Sequence, residues 1–164
     1  MGRCRMNSLT NIVLVAARIL LGAWMIINGL NHWLPIFPQP LGSNPYSNAL
    51  MVTLIETGLF DLVKFIELIG GVLLILNRFV PLSLVALLPV SAIVYYNATT
   101  LQGKWDYIFY MGTGCMYLNL LVMCGYLKHY LPMMRVDAEM GGLDEFRRLP
   151  DIFKGLTHYD KSQF

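Results

Sequence analysis

The amino-acid sequence predicts an all-α membrane protein: a four-transmembrane-helix antiparallel bundle with a short outer interfacial helix and a cytoplasmic amphipathic tail. Two observations predict this class. The 164 residues are 56% hydrophobic and 13% charged, whereas about a quarter of the residues in a soluble domain are charged. The chain also contains four apolar segments, each near the roughly 20 residues that a helix needs to cross a bilayer core. The lipid bilayer is therefore the expected solvent.

The first domain is predicted to be transmembrane and to cover residues 1–131. Its four spans are predicted at about 11–30, 59–76, 79–96 and 107–127. Only Asn77 and Arg78 separate the second span from the third, with Pro81 just beyond. So short a connection predicts an antiparallel helical hairpin.

Residues 132–164 are predicted to form a charge-rich cytoplasmic tail. Its large apolar residues recur at helical spacing: Leu143, Phe146, Leu149 and Phe153. We interpret this pattern either as a helix that lies on the membrane surface or as a docking surface for a soluble partner. The sequence leaves both interpretations open.

The distribution of Lys and Arg predicts the orientation in the membrane. Most of them lie at the N-terminus, in the second-to-third turn or in the tail: Arg3, Arg5, Arg78, Lys128, Arg135, Arg147, Arg148, Lys154 and Lys161. Only Lys104 would lie on the opposite side. The positive-inside rule therefore places both termini in the cytoplasm. With a net charge of +2 and no dense basic run, nucleic acid is not expected as a partner.

The connection between the first two spans is predicted to contain the outer interfacial helix. Its proline-rich first part must be extended, because proline disfavours helix in the residue before it. Ser47 then resembles an N-cap, and residues 47–57 read as a short helix that ends at Gly58. This helix is too short to span, so we expect it to lie on or dip into the outer leaflet.

Ionisable residues inside predicted spans are the best site candidates, because each is costly in lipid and usually faces a partner or a cavity. They are Arg18, Asp61, Lys64 and Glu67. On a helical wheel, Arg18 shares one face of the first span with Gly22, Gly29 and His32. Arg18 and Glu67 lie at a similar depth, counted from the cytoplasmic ends of their helices, so they are predicted to form an ion pair.

Two interpretations of this pair remain open. It could be a buried staple that fixes helix register, or it could belong to a polar pocket open to the outer side. In the pocket interpretation, Lys64 lies one turn further out, and Asp61 and His32 lie near the mouth. Further polar residues at the outer helix ends extend the candidate pocket: Asn31, Asn97 and Asp106. Asn119, in the fourth span, is predicted to form an interhelical hydrogen bond.

Haem, metal and disulfide chemistry are not expected. No two of the three histidines can face each other as axial ligands, and no histidine–carboxylate spacing recurs for a metal. The three cysteines include no Cys-x-x-Cys pair. Cys115 and Cys124 are predicted to be small packing residues.

Several short motifs resemble the DoxX-like family of small four-helix integral membrane proteins. They are Arg-Ile-Leu-Leu-Gly at 18–22, Asn-Gly-Leu-Asn-His at 28–32, Glu-Leu-Ile-Gly-Gly-Val-Leu-Leu at 67–74, Leu-Asn-Arg-Phe-Val-Pro-Leu at 76–82 and Leu-Pro-Val at 88–90. The resemblance implies a four-helix bundle. Some relatives are named as membrane subunits of a thiosulfate:quinone oxidoreductase, and others are linked to thiol and oxidative-stress complexes. Where some relatives have a histidine after the third span, this chain has Asn97.

The function expected from these observations is a small inner-membrane subunit associated with a quinone-linked oxidoreductase or another membrane redox complex. A quinone is the candidate cofactor, and other membrane or redox-complex subunits are the expected partners. The alternative is a structural or assembly subunit of a larger membrane complex without chemistry of its own. A small-solute transporter is a weaker third option, because no inverted repeat is visible.

Overall fold

A computed structural model of the chain describes residues 8–38, 44–102, 107–134 and 136. These residues contain helices and no β-strand, so the all-helical prediction is confirmed. The α-helices are α1 (Ser8–Leu30), α2 (Pro45–Glu56), α3 (Leu59–Ile75), α4 (Val80–Tyr96), α5 (Tyr107–Gly125) and α6 (Leu127–Tyr130). A π-helix, Asn97–Leu101, extends α4, and a 3-10 turn, Leu131–Met134, follows α6.

The four long helices match the predicted segments closely. Helix α1 begins three residues before the predicted start at 11, because no proline, glycine or charged residue interrupts the segment from Ser8. Helices α3 and α4 follow the predicted bounds to within one residue. Helix α5 ends at Gly125, two residues early, and the short helix α6 takes over after Tyr126.

The predicted short helix exists between α1 and α3, but its predicted N-cap is wrong. Helix α2 begins at Pro45, and Asn44 caps it by accepting a hydrogen bond from the backbone N–H of Tyr46 at 2.9 Å. Proline suits the first helical turn because it has no N–H to leave unpaired. Ser47 lies one turn further in, where its side chain is fully buried. An asparagine followed by a proline is itself a signal for the start of a helix, and here Asn44-Pro45 determines the start rather than Ser47.

The helices of the first unit form a ring in which α1 packs on α3, α3 on α4, α4 on α5 and α5 on α1. The closest approach joins α1 to α3. A Cβ atom built on Gly71 would lie 2.7 Å from the carbonyl oxygen of Gly22, and one on Gly29 would lie 3.1 Å from the carbonyl oxygen of Lys64. Glycines allow this backbone contact, as small residues do between membrane helices. The two contacts fix the antiparallel register of α1 and α3.

The turn between α3 and α4 depends on two left-handed residues. Asn77 has φ 54° and Phe79 has φ 47°. Asparagine tolerates this conformation better than other residues with a Cβ atom, and Pro81 then occupies the first turn of α4. The hairpin predicted from the short connection is therefore present.

The exterior of the helices is apolar. Large hydrophobic residues are exposed on all four long helices, among them Leu9, Ile12, Leu62, Phe65, Ile69, Leu82, Ile93, Met111 and Leu121. Buried positions include charged and amide side chains. Two helical segments are long and apolar enough to cross a membrane, Leu9–Leu30 and Val80–Leu101. Helix α5 is apolar over the shorter segment Phe109–Gly125.

The chain divides into two units, Met1–His129 and Tyr130–Phe164. The second unit is described only at its beginning, which contains the 3-10 turn Leu131–Met134. The amphipathic segment predicted within 132–164 lies outside the described residues. Its two interpretations stay predictions.

The contact between α1 and α3 predicts opposite effects for two glycine-to-alanine substitutions. Gly71→Ala would force a methyl group against the backbone of α1, and overpacking of this kind costs about 1–3 kcal/mol. Gly114→Ala is the matched control, because a Cβ atom there meets nothing within 4 Å. The control should gain up to about 1 kcal/mol from helix propensity. Denaturant unfolding in detergent measures the free energy of unfolding of each variant. Equal values for Gly71→Ala and Gly114→Ala would contradict the close packing of α1 on α3.

Candidate functional site

Two of the buried charges form an ion pair within one helix. Lys64 and Glu67 lie one turn apart on α3, and only 6% and 5% of their surfaces are exposed. The Lys64 ammonium donates to Glu67 Oε2 at 2.7 Å, and it also lies 4.9 Å from the centre of the Phe60 ring. Residues three apart on a helix are neighbours on its surface. The two charges therefore compensate each other inside the bundle.

A second polar group joins α4 to α5 nearby. Asn119 Nδ2 donates to Ser91 Oγ at 3.2 Å, which confirms the interhelical hydrogen bond predicted for Asn119. Ser91 Oγ also lies 3.5 Å from Cys115 Sγ. Glu67 and Lys64 lie near this thiol. Asn119 Oδ1 is buried without a hydrogen-bond partner among the described residues. The ion pair and this group make up the polar layer: Lys64, Glu67, Ser91, Cys115 and Asn119.

An apolar groove reaches the polar layer from the side. It lies between α1 and α5 and has a volume of about 230 Å³. Its lining residues are Leu20, Trp24, Tyr110, Met111, Gly114, Cys115 and Leu118. An apolar cavity of about 150 Å³ is enough to bind benzene. The groove could therefore admit one substituted ring, with Cys115 linking it to the polar layer.

A layer of fully buried apolar side chains closes the interior on the side of the α3–α4 turn. Leu21, Leu74, Leu84, Leu87 and Val122 have no exposed surface. Leu74 follows Glu67 by two turns, and a Cβ atom on Gly70 would touch Leu87. These residues therefore separate the polar layer from the turn. We call them the leucine layer.

The opposite end of the bundle carries partly exposed polar contacts. His32 Nε2 lies 2.5 Å from Asp61 Oδ1 and joins the end of α1 to the start of α3. Asn31 Oδ1 accepts a hydrogen bond from the backbone N–H of Phe37 at 2.8 Å. Asp61 is one turn before Lys64, so the polar layer continues toward this end. His32 and Asp61 therefore contact each other, and the pocket mouth that the sequence places beside them stays a prediction.

The predicted ion pair between Arg18 and Glu67 is wrong. Arg18 Nη1 donates to Asn77 Oδ1 and, at 3.1 Å, to the hydroxyl of Tyr126. The register set by the glycines places Arg18 opposite Asn77, which is ten residues from Glu67 and hence about 15 Å along the axis. The prediction assumed that the cytoplasmic ends of α1 and α3 are level with each other. They are not, so the same number of residues from each end does not give the same depth. Arg18 is therefore not part of the polar layer.

The remaining candidates lie outside the polar layer. Asn97 begins the π-helix, and its Oδ1 atom is buried without a partner among the described residues. Asp106 lies outside the described residues. Two functional candidates were missed, Asn77 and Tyr126, which hold Arg18. Their signal was weak, because an asparagine in a turn and a tyrosine at a helix end are ordinary features.

No protein-family model matches the chain, and neither a curated protein nor a solved structure is detectably similar to it. The resemblance to the DoxX-like family therefore stays a prediction from the motifs.

The ion pair predicts an asymmetry between breaking it and replacing it. Glu67→Leu should lower the free energy of unfolding by about 3–5 kcal/mol, because it leaves the Lys64 ammonium buried without a counter-charge. The double variant Lys64→Met with Glu67→Leu should recover most of this loss, since apolar replacement of a buried pair is often neutral. Denaturant unfolding in detergent compares the variants. A double variant as unstable as the single one would contradict the pairing.

Proposed function

We propose that this chain is a multi-pass membrane protein with four spans, formed by α1, α3, α4 with its π-helix, and α5. This proposal is supported by the distribution of apolar and charged side chains, which is the reverse of that in a soluble protein. Soluble monomers rarely expose continuous apolar patches larger than a few hundred Å², whereas here exposed leucine, isoleucine and valine occur on every long helix. The charges of Lys64, Glu67 and Arg18 are buried instead. In lipid this arrangement is the favourable one.

The proposed orientation has both termini in the cytoplasm of a bacterial inner membrane. Arg78, in the α3–α4 turn, and Lys128, in α6, would then lie on the cytoplasmic side with the N-terminus. Helix α2 would lie at the outer surface. The His32–Asp61 contact would face the same outer side.

Membrane fractionation and protease protection test this topology. The protein, tagged at each end and produced in a bacterial host, should stay in the pellet after carbonate extraction. Both tags should resist protease added to spheroplasts and be lost after lysis, because the membrane shields them. Extraction into the soluble fraction would contradict the membrane location, and digestion of either tag before lysis would contradict the orientation.

We further propose that the protein is a membrane subunit of a quinone-linked oxidoreductase or another membrane redox complex. The observation that supports this function is the polar layer at the end of an apolar groove. Lys64 Nζ has three N–H donors, and the described contacts use only one for Glu67. It can therefore donate to the carbonyl oxygen of a ring ligand and compensate negative charge there. The apolar lining of the groove suits the ring faces and a hydrocarbon tail.

The remaining residues of the site would position the ligand and supply protons. Cys115 lines the groove and Ser91 Oγ lies 3.5 Å from its thiol, so these two side chains can orient the ring edge. Glu67 can accept a proton, and the His32–Asp61 contact lies toward the outer end as a route for its exchange. The leucine layer excludes water from the other side. A bound quinone would supply the electron-accepting chemistry, and the protein would supply its orientation and its hydrogen bonds.

Quinone titration tests the site. A short-chain quinone should quench the fluorescence of Trp24, which lines the groove, in a saturable way. Because the ion pair supplies a charged hydrogen bond, worth about 1.5–3 kcal/mol, Lys64→Met with Glu67→Leu should weaken binding about tenfold or more. Ser83→Ala is the matched control, since Ser83 is buried outside the polar layer. Loss of the quenching in Trp24→Phe would show that the fluorescence signal comes from Trp24. Unchanged binding in the folded double variant would contradict the function.

The alternative, a structural subunit without chemistry, has its own supporting observation. The first turns of α1 extend beyond the α3–α4 turn and expose Leu9, Ile12 and Val13. Such an apolar extension suits contact with another membrane subunit. Mild-detergent purification separates the two functions. Co-purification in a large assembly, together with no quinone binding, would favour the structural role. The Lys64–Glu67 ion pair would then only stabilise the fold.

A further inference from the structure

Gly114 is a glycine that the packing of the described helices does not require. Six other glycines of the described chain lie within helices: Gly22, Gly29, Gly70, Gly71, Gly112 and Gly125. A Cβ atom built on any of these six would lie 3.0 Å or less from a packed neighbour, whereas one on Gly114 would meet no described neighbour within 4 Å. Glycine in the middle of a helix is less stable than alanine, and Gly114 lies in the middle of α5. Its presence there needs another reason.

The open space beside Gly114 belongs to the apolar groove between α1 and α5. Gly114 is one of the residues that line this groove, whose volume is about 230 Å³. Cys115, the next residue in the chain, lines it as well. A side chain at position 114 would therefore extend into the groove instead of packing on another helix. The missing side chain leaves room for a molecule that occupies the groove.

The groove wall suits a planar ring better than a saturated chain. Trp24 and Tyr110 line it with aromatic rings, which pair favourably with other rings in stacked or edge-to-face geometry. Met111 adds a thioether sulfur, which also contacts rings favourably. Ser91 Oγ lies 3.5 Å from the Cys115 thiol, so the wall has a polar edge that a saturated chain cannot use. The volume exceeds the roughly 150 Å³ that accommodates benzene, which leaves space for ring substituents.

We propose that Gly114 determines the ligand specificity of the groove, because it leaves room for a substituted planar ring to lie against the backbone of α5. The ligand class is a single-ring quinone that carries groups of the size of methyl or methoxy. Its ring edge would lie beside Cys115, and its substituents would fill the space that a side chain at position 114 would take. This inference rests on the proposed quinone function and adds the residue that sets the size of the ring.

Titration with tetramethyl-1,4-benzoquinone, followed by Trp24 fluorescence, tests the role of Gly114. Gly114→Leu should weaken binding about tenfold or more, because its side chain overpacks the occupied groove. Gly114→Ala should weaken binding about threefold, since one methyl group displaces less of the ring. Both variants should fold, because the position has no described neighbour to clash with. Leu120→Phe is the control: Leu120 is exposed on α5 and does not line the groove, so binding should not change.

Alkylation of Cys115 gives a second readout that does not depend on quinone binding. The full chain in membranes is treated with N-ethylmaleimide, and peptide mass spectrometry follows the labelling of each cysteine. Gly114→Leu should slow the labelling of Cys115 by a similar factor, because the groove is the route to this thiol. Cys124 is exposed outside the groove and serves as the internal control. Bound tetramethyl-1,4-benzoquinone should slow the labelling of Cys115 in the wild type.

The outcomes separate the role of Gly114 from the quinone function. Saturable quinone binding that Gly114→Leu leaves unchanged, or Cys115 labelling at the wild-type rate in that variant, would overturn the inference while the quinone function stands. No saturable binding by the wild type would contradict the quinone function and the inference together. A wild-type dimer that Gly114→Leu dissociates, with unchanged ring binding, would overturn the inference in favour of a contact between two copies of the chain. If Gly114→Leu does not fold, the titration of Gly114→Ala decides the result.

Discussion

The backbone contact between α1 and α3 determines which polar side chains can meet inside the bundle. Gly22 and Gly71 have no side chains, so the two helices approach until backbone atoms touch. This contact fixes their axial offset, because a shift of one turn would drive larger side chains into the same space. With the offset fixed, His32 reaches Asp61 and Arg18 reaches Asn77. Glu67 is left without a partner on α1, and Lys64 on its own helix compensates it.

The polar side chains thereby separate into two groups with different energetic requirements. Lys64 and Glu67 form a neutral pair, so their burial costs far less than that of either charge alone. Among the described residues, Arg18 has neutral acceptors and no carboxylate that compensates its charge. In the proposed membrane location, its position beside the α3–α4 turn, rather than in the middle of the bundle, makes this charge tolerable, since long basic side chains near helix ends reach toward headgroups.

The sequence predicted the helices well because apolar length, proline positions and short connections are local signals. It also identified the buried charges, since an ionisable residue in an apolar segment is conspicuous. It could not predict the pairing of Arg18, because a helical wheel gives the direction of a side chain but not the axial offset between two helices. The offset depends on a contact between Gly22 and Gly71 that neither segment specifies alone. The spacing of Lys64 and Glu67, three residues apart, was the local signal that should have favoured their pairing.

The leucine layer limits what the polar groups can do together. Five side chains without exposed surface separate the polar layer from Arg18, and interiors of this kind pack too closely to hold a continuous file of water. A path for ions or protons through the whole bundle would need the layer to open, which the tight α1–α3 contact opposes. The polar layer can therefore exchange with one side only. One-sided access suits a subunit that holds a ligand at the polar layer, or one whose ion pair fixes structure, better than a transporter.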